Sequence, residues 1–187
     1  MVSPALKMTG WFTAVGRQGD RTLEQQLTGL ELLMTEVPGK TVLDAGCAEG
    51  LISIELARQG ATCHGLDCVP GHIDVARSLA VDLPCTFEVV DLNRSDLNFG
   101  LVEIVLMLAI LHKLENPSKV CAGLASLARE LCVIRLPPRG PVIKDQRSGF
   151  VEHDIDAVMQ AAGFELTDID VGHLDEWVGY YRRTLST

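Results

Sequence analysis

The chain has 187 residues, a length that suits one domain built around a single core. Hydrophobic residues make up 47% of the chain and aromatic residues 5%, so the core must rest on Leu, Val, Ile and Ala, which suits layered α/β packing. The formal net charge of −9 disfavours a broad nucleic-acid-binding surface, because such a surface needs clustered Lys and Arg to displace counterions.

The termini and cysteines indicate an ordinary cytoplasmic protein. The first ten residues lack a charged segment followed by an apolar one, so they do not resemble a signal peptide. The longest apolar run, 104–111, is much shorter than the about 20 residues that cross a bilayer. The six cysteines form no CxxC pair and no zinc-finger spacing. We therefore expect reduced thiols, no metal site and a soluble, cytoplasmic protein.

Hydrophobic periodicity predicts an N-terminal helix and then alternating strands and helices. Leu and Met at three- and four-residue steps predict one helix over 22–36, which Pro38 and Gly39 end. From residue 40 onward, short apolar segments alternate with helical ones. The predicted strands are 41–44, 62–66, 85–90, 102–108 and 131–136, and the predicted helices are 49–59, 71–81, 117–129 and 151–162.

The last part of the chain changes character. Two further strands, 164–171 and 178–183, have no helix between them and are expected to form an antiparallel pair at one edge of the sheet. The predicted fold is α/β: a Rossmann-like, mostly parallel seven-stranded sheet with helices on both faces and a C-terminal antiparallel hairpin strand. We expect a helical arm over 1–39 that packs on the core, and a domain over 40–187.

A glycine-containing turn follows the first predicted strand. Asp44 ends that strand, and Gly46 and Gly50 lead into a helix. Glycine lets the backbone approach a ligand closely, and a helix N-terminus offers unpaired N–H groups to an anionic group. Alone, this turn indicates only a nucleotide-like ligand.

Carboxylates follow each of the first three strands. The carboxyl ends of parallel strands meet at one sheet edge, where open α/β sheets bind ligands. Asp44 could anchor an ammonium group directly or through water, Asp67 could accept ribose hydroxyls, and Asp91 could accept from an amine such as adenine N6. Each aspartate alone could equally be a cap or turn residue. Together they describe a ligand with a free amine, a ribose and an adenine.

These segments resemble the motifs of class I S-adenosylmethionine-dependent methyltransferases. The similarity covers about 40–183 in the family's order. The first three motifs are matched by Val-Leu-Asp-Ala-Gly-Cys at 42–47, Gly-Leu-Asp at 65–67 and Val-Val-Asp-Leu at 89–92. The fourth-strand segment is matched by 106–112, which ends in His112, and the turn before the late hairpin by 161–164.

The resemblance implies S-adenosyl-L-methionine as cofactor and S-adenosyl-L-homocysteine as product, bound within 40–187. Ala48 departs from the family's usual middle glycine, and Val102-Glu103 stands where many members carry Asp before the fourth strand. A nicotinamide dinucleotide site is the rival interpretation, but it needs G-x-G-x-x-G, which the chain lacks. The implied cofactor-binding residues are Asp44, Gly46, Cys47, Ala48, Gly50, Asp67, Cys68, Asp91, Leu92 and Leu108.

His112 is the candidate catalytic residue. It follows the fourth strand, where the methyl acceptor is expected, and a neutral imidazole could take a proton from an attacking hydroxyl or amine. The alternative is a partly buried histidine bonded to backbone near Glu115. Trp11 and Arg17 are hypothesised to close over the site, although a packed staple beside a solvated turn explains them as well. The Pro- and Gly-rich loop 137–149 is expected near the same edge.

The predicted function is transfer of a methyl group from S-adenosylmethionine to an oxygen or nitrogen nucleophile. The acidic net charge of the chain favours a small molecule as the acceptor. The positive sulfur already activates the donor, so the protein supplies mainly proximity and alignment. The alternatives are a non-catalytic S-adenosylmethionine-binding partner or regulatory subunit, and a methyltransferase acting on tRNA or protein. A homodimer is left open, and no membrane partner is expected.

Overall fold

The computed structural model describes residues 21–138 and 152–184, apart from the side chain of His153. The helices in these ranges, in chain order, are α1 Leu23–Leu27, α2 Glu31–Glu36, α3 Leu51–Arg58, α4 Pro70–Leu79, α5 Pro117–Leu127 and α6 Glu152–Ala161, with a short 3₁₀ helix at Leu111–Lys113. The strands are β1 Thr41–Ala45, β2 Thr62–Asp67, β3 Cys85–Val89, β4 Val102–Leu108, β5 Ala128–Leu136, β6 Phe164–Val171 and β7 Trp177–Arg183.

All seven strands join one sheet, in the order β3-β2-β1-β4-β5-β7-β6. Strands β1 to β5 pair in parallel, whereas β7 is antiparallel to both β5 and β6. The predicted fold, including the hairpin at one edge, is confirmed. Because β6 is antiparallel to β7, it runs in the same direction as β1 to β5. The turn between β6 and β7 therefore lies at the sheet edge where the parallel strands end.

Neighbouring residues of the central strands point to opposite faces, and both faces are covered. Leu43 and Val105 belong to the apolar cluster that α5 and α6 complete on one face. Val42 and Ile104 belong to the cluster that α2 and α3 complete on the other. Burying a side chain of this size stabilises the fold by about 1.5–3 kcal/mol, so the two clusters fix which helix covers which face.

The N-terminal helix prediction was wrong in one respect, because 22–36 forms two helices and not one. Thr22 begins α1 with a capping box to Gln25, but α1 ends at Leu27. Gly29 then takes φ +78°, outside the range of a right-handed helix. A Cβ at Gly29 would lie 3.0 Å from Gly172 N in the β6–β7 turn. The break therefore lets this segment approach the hairpin closely.

The junction between the fifth helix and fifth strand also differs from prediction. The strand begins at Ala128, three residues earlier than expected, and follows α5 without a loop. Arg183 Nε and Nη2 donate to Ala128 O at 3.1 and 2.5 Å, which satisfies a carbonyl at the helix end. The other predicted strand and helix bounds agree within two residues.

No helix in the described ranges is long and apolar enough to cross a membrane. Trp11, Arg17 and the part of the loop from residue 139 onward lie outside the described residues. The hypothesis that Trp11 and Arg17 close over the site, and the expected place of the loop near the same sheet edge, therefore stay predictions.

Candidate active site

The chain leaves β1 through a tight turn whose residues adopt left-handed backbone angles. Gly46, Ala48 and Gly50 have φ of +85°, +47° and +75°. The N–H groups of Gly46 and Cys47 donate to Leu66 O at 2.8 and 2.9 Å, which ties the turn to β2. A left-handed conformation costs a residue with a side chain roughly 1–2 kcal/mol, so Ala48 is held there by its surroundings.

Two adjoining clefts open beside this turn. The larger has a volume of about 240 Å³ and the smaller about 100 Å³. Both are lined by Gly46, Asp67, Ile110 and Lys113, so they form one continuous depression. A Cβ at Gly46 would lie 2.9 Å from Ile110 Cγ1. Glycine at position 46 therefore lets Ile110, which lines both clefts, pack closely against the turn.

Asp67 lies at this junction. Its Oδ2 accepts from Ala48 N at 3.1 Å and its Oδ1 from Val69 N at 2.9 Å, while His72 Nδ1 lies 3.3 Å from Oδ1. A carboxylate offers about four lone-pair positions, so these contacts do not exhaust its capacity to accept hydrogen bonds. The predicted contact with ribose hydroxyls is compatible with this geometry and stays a prediction.

Most of the other predicted cofactor residues line the depression. Asp91 is exposed there, with Oδ1 accepting from Asn93 N at 3.0 Å and Oδ2 3.4 Å from Arg94 Nε. The structure brings together Cys68, Asp91 and Leu92 in the larger cleft, and Ala48 and Leu108 in the smaller.

Asp44 and Cys47 are buried behind the turn and are not among the residues lining either cleft. Asp44 Oδ2 accepts a hydrogen bond of 2.6 Å from Ser53 Oγ. Burial raises the pKa of Asp44 to about 6. The hydrogen bond from Ser53 lowers this pKa, and the negative charge of Asp67 raises it. Burial, together with the carboxylates around it, also raises the pKa of the Cys47 thiol well above its usual range. The predicted role of Asp44 toward an ammonium group stays a prediction.

Glu49 is a third carboxylate at the turn, and no functional role was predicted for it. It is only 2% exposed, and neither of its carboxylate oxygens has a hydrogen-bond partner among the described residues. Its contact is with His72, whose Nε2 lies 3.9 Å from Oε1. Asp44, Glu49 and Asp67 thus create a negative potential around the turn, which suits a ligand that carries positive charge. In the sequence, Glu49 looked like an ordinary acidic residue before a helix.

His112 does not line either cleft. It sits in the 3₁₀ helix with 4% of its surface exposed, whereas the next residue, Lys113, lines both clefts. A general base must come within hydrogen-bond reach of the proton it takes. The catalytic role of His112 therefore stays a prediction to which its burial gives no support.

The far wall of the smaller cleft comes from residues that sequence analysis missed. Arg21 Nη1 donates to Glu176 Oε1 at 2.8 Å, and Glu176 Oε2 lies 3.7 Å from Arg135 Nε. Arg135 Nη2 in turn donates to the carbonyls of Gln26 and Thr28 at 2.9 and 2.8 Å. Burial lowers the pKa of Arg135, and the charge of Glu176 raises it. No sequence signal connects Arg21 to Glu176, because 155 positions separate them.

Comparison with known proteins shows what the central part of the chain resembles. A family model described as a methyltransferase domain matches residues 42–131. The chain is 32% identical over 94 residues to the ubiquinone biosynthesis O-methyltransferase of Pectobacterium atrosepticum. The aligned part covers 49% of this chain and 39% of the relative. The chain thus spans well under half the length of that relative.

Solved structures show the same fold over most of the chain. The magnesium protoporphyrin IX methyltransferase of Synechocystis with bound S-adenosylmethionine superposes with a TM-score of 0.71 and 25% identity, covering 87% of this chain and 80% of that one. A methyltransferase from Aquifex aeolicus superposes with a TM-score of 0.68 and 17% identity, covering 86% of this chain and 93% of that one.

Proposed function

We propose that this chain, a class I S-adenosylmethionine-dependent methyltransferase by its domain and its fold, transfers a methyl group to an oxygen or nitrogen of a small molecule. The observation that carries the proposal is the continuous depression at the turn after β1, where Gly46 and Asp67 line both clefts. Its carboxylates suit a cofactor with a cationic sulfur and an ammonium group. The matched relative is named for O-methylation in quinone biosynthesis, which favours a small acceptor with an oxygen nucleophile.

Different residues of the depression would contact different parts of the cofactor. Val90, Asp91 and Leu92 would hold the adenine in the larger cleft, and Asp67 at the junction would accept the ribose hydroxyls. Gly46 and Ala48 would lie along the amino-acid part, since both line the smaller cleft. When bound, S-adenosylmethionine supplies a methyl group already activated by its positive sulfur. The protein then contributes mainly position and exclusion of water.

A general base is needed only if the acceptor must lose a proton before or during transfer. His112 was predicted for this task and remains the proposed candidate. Because it is buried, the task requires the 3₁₀ helix at Leu111–Lys113 to move toward the cleft. We also propose a cytoplasmic location, since the four buried cysteines of the described ranges are free thiols.

Calorimetry with S-adenosylmethionine and S-adenosylhomocysteine tests the cofactor assignment on the whole chain. We expect both to bind the wild type and Asp67→Ala to bind at least about tenfold more weakly, because it loses charge-assisted hydrogen bonds. Asp74→Ala is the matched control, since the Asp74 side chain is 77% exposed on α4. No binding by the wild type would sink the proposal, whereas equal binding by Asp67→Ala would sink only the ribose assignment.

Transfer is tested separately with S-adenosylmethionine carrying a labelled methyl group and a panel of phenols, carboxylic acids and amines. Labelled product from at least one small acceptor is expected. Cofactor binding with no transfer to any small acceptor, but with transfer to tRNA or protein, would contradict the small-molecule assignment. Binding with no transfer at all would favour a non-catalytic binding subunit.

A further inference from the structure

Two cysteines, Cys63 on β2 and Cys85 on β3, lie side by side in the sheet. They are register partners in a parallel pair of strands, so their side chains point to the same face. Neighbouring strands lie about 4.7–4.9 Å apart, and a disulfide needs Cα atoms about 4.4–6.8 Å apart. The backbone therefore places the two thiols within reach of a covalent bond.

The two side chains are in contact through their sulfur atoms. Cys63 and Cys85 share a hydrogen bond. Cys85 Sγ also donates to Ser53 O at 3.6 Å, so in the neutral pair Cys63 is the donor and Cys85 the acceptor. The sulfur atoms that would form a disulfide therefore already face each other.

The two thiols differ in their access to solvent. Cys63 is 2% exposed, whereas Cys85 is partly exposed on β3, which is an edge strand of the sheet. The hydrogen bond from Cys63 lowers the pKa of Cys85, against the effects of burial and of the charge of Asp44. The same hydrogen bond, together with burial, raises the pKa of Cys63. Cys85 therefore ionises first, and its thiolate keeps a donor beside it.

A second pair of cysteines shows what the first pair has in addition. Cys121 and Cys132 interact with each other on the opposite face of the sheet, but both are 0% exposed. Burial raises the pKa of Cys121 to about 12 and that of Cys132 well above its usual range. The thiolate is the reactive form of cysteine, so this buried pair is an inert comparison for the accessible one.

We propose that Cys63 and Cys85 are a peroxide-sensitive dithiol, which a hydroperoxide converts to a disulfide. In the first step the Cys85 thiolate attacks the peroxide. A sulfur–oxygen bond forms, the oxygen–oxygen bond breaks, and the leaving oxyanion takes a proton from water. The Cys85 sulfur is oxidised by two electrons to a sulfenic acid, and the peroxide is reduced.

In the second step Cys63 resolves the sulfenic acid. Its sulfur attacks the Cys85 sulfur, so that the sulfur–sulfur bond forms and the sulfur–oxygen bond breaks. The hydroxide that leaves takes the proton of the Cys63 thiol and departs as water. In total, two thiols and one hydroperoxide give a disulfide, a hydroxyl compound and water. With hydrogen peroxide, the hydroxyl compound is a second water.

The dithiol does not depend on the proposed methyl transfer, because it lies outside both clefts and is read out on the thiols alone. It agrees with the proposed cytoplasmic location. Disulfides in that compartment are usually transient and redox-sensing, since glutathione and thioredoxin return them to thiols. The pair would thus be reduced at rest and oxidised only while peroxide is present.

The experiment exposes the whole reduced chain to hydrogen peroxide and follows each cysteine by differential alkylation and peptide mass spectrometry. We expect a peptide linked through Cys63 and Cys85, with both thiols lost at the same rate. That rate should exceed those of Cys121 and Cys132 by at least about tenfold, because the thiolate fraction falls tenfold for each unit of raised pKa. Dithiothreitol should restore both thiols.

Two variants test the order of the steps. In Cys63→Ala the sulfenic acid on Cys85 has no resolving thiol, so dimedone should trap it at least about tenfold more than in the wild type. In Cys85→Ala the oxidation of Cys63 should be at least about tenfold slower than in the wild type. Cys121→Ala is the matched control, since it removes a buried thiol elsewhere and should leave the Cys63–Cys85 bond unchanged. Thermal unfolding curves verify that each variant is folded.

Three outcomes overturn the proposal. One is a Cys85 thiol in the wild type that peroxide oxidises no faster than Cys121. Another is a wild-type disulfide that joins Cys85 to a cysteine other than Cys63. The third is a Cys85→Ala variant in which Cys63 is oxidised as fast as in the wild type. The wild-type measurements decide the first two even if a variant does not fold, and none of the three bears on cofactor binding.

Discussion

Ser53 Oγ donates a hydrogen bond of 2.6 Å to Asp44 Oδ2 in a place where both residues are buried. Ser53 lies on α3 and Asp44 on β1, so the bond joins the two elements that flank the glycine turn. Asp44, the acid of the first motif, therefore bonds to a neighbouring helix, whereas Glu49 and Asp67 are the carboxylates that lie beside the turn.

The burial of Asp44 makes the stability of the fold depend on pH. Its pKa rises from an ordinary 3.8 to about 6 on folding, so between these values the folded state binds more protons than the unfolded state. Stability from this group therefore falls as pH rises from about 4 to about 6, by up to about 3 kcal/mol. Asp44→Asn removes this dependence.

The measurement is urea unfolding of the wild type and Asp44→Asn at pH 4.5 and pH 7.5. We expect the stability of Asp44→Asn relative to the wild type to increase toward the higher pH. Asp74→Asn, on the exposed face of α4, should have about the same free energy of unfolding as the wild type at both pH values. A constant difference between Asp44→Asn and the wild type would contradict the raised pKa.

Gly46→Ala should narrow the junction of the two clefts. The new Cβ would lie 2.9 Å from Ile110 Cγ1 and would require a left-handed residue with a side chain. Overpacking of this kind costs about 1–3 kcal/mol of folding stability unless Ile110 moves. Because Ile110 lines both clefts, its displacement should obstruct them, and we expect S-adenosylhomocysteine to bind about 10- to 100-fold more weakly.

Gly39→Ala is the control for Gly46→Ala, because Gly39 has a similar φ of +77° and no atom within 4 Å of its Cβ position. Both variants should lose stability from backbone strain, on the order of 1 kcal/mol. Only Gly46→Ala should lose affinity in calorimetry. Equal affinity for the two variants would show that the ligand does not pass the junction.

Cys68 should react with iodoacetamide before the buried cysteines do. It is exposed and lines the larger cleft, whereas burial raises the pKa of Cys121 to about 12 and that of Cys132 well above its usual value. Because the thiolate is the reactive form, the buried thiols should stay unmodified in the folded protein. Peptide mass spectrometry over time gives the order of modification.

A bound cofactor should protect Cys68. At ten times its Kd, S-adenosylhomocysteine leaves about one-eleventh of the site free, so modification should slow by about tenfold. The same buffer without S-adenosylhomocysteine is the control. Unchanged modification of Cys68 at saturating S-adenosylhomocysteine would place the ligand outside the larger cleft.

His112→Gln tests the predicted general base. If His112 is the base, as proposed, we expect kcat to fall by about 100-fold or more, with unchanged affinity for S-adenosylhomocysteine. The pH dependence of kcat, measured with an acceptor that loses a proton, should then lose its acidic limb. A fall of less than about tenfold with the acidic limb kept, as the burial of His112 would give if the 3₁₀ helix does not move, would contradict this role.

Much of the fold was readable from the sequence because its strands are short apolar segments that end in carboxylates. Asp44, Asp67 and Asp91 each lie at or just after the end of a strand of one parallel sheet, and this placement led to the prediction of a single edge site. Gly29 shows where the approach fails. The leucine spacing continues across it at helical steps, and only its contact with the hairpin reveals the break.

The wall of the smaller cleft was not predictable for a related reason. Arg21 and Glu176 belong to no motif, and each looks like an ordinary charged residue in an acidic chain. Their contact depends on the packing of the N-terminal segment against the β6–β7 turn, which Tyr180 supports by donating to Gly29 O at 2.8 Å. Local sequence patterns do not predict a contact between residues so far apart in the chain.

The direction of β6 has a consequence for how such a protein can diversify. Because β6 ends at the edge where β1, β2 and β4 end, the hairpin turn reaches the site from the opposite end of the chain. Insertions or substitutions in the β6–β7 turn would alter one wall of the smaller cleft without changing the glycine turn after β1. Substitutions in the hairpin turn can therefore reshape the smaller cleft while the residues that line only the larger cleft stay the same.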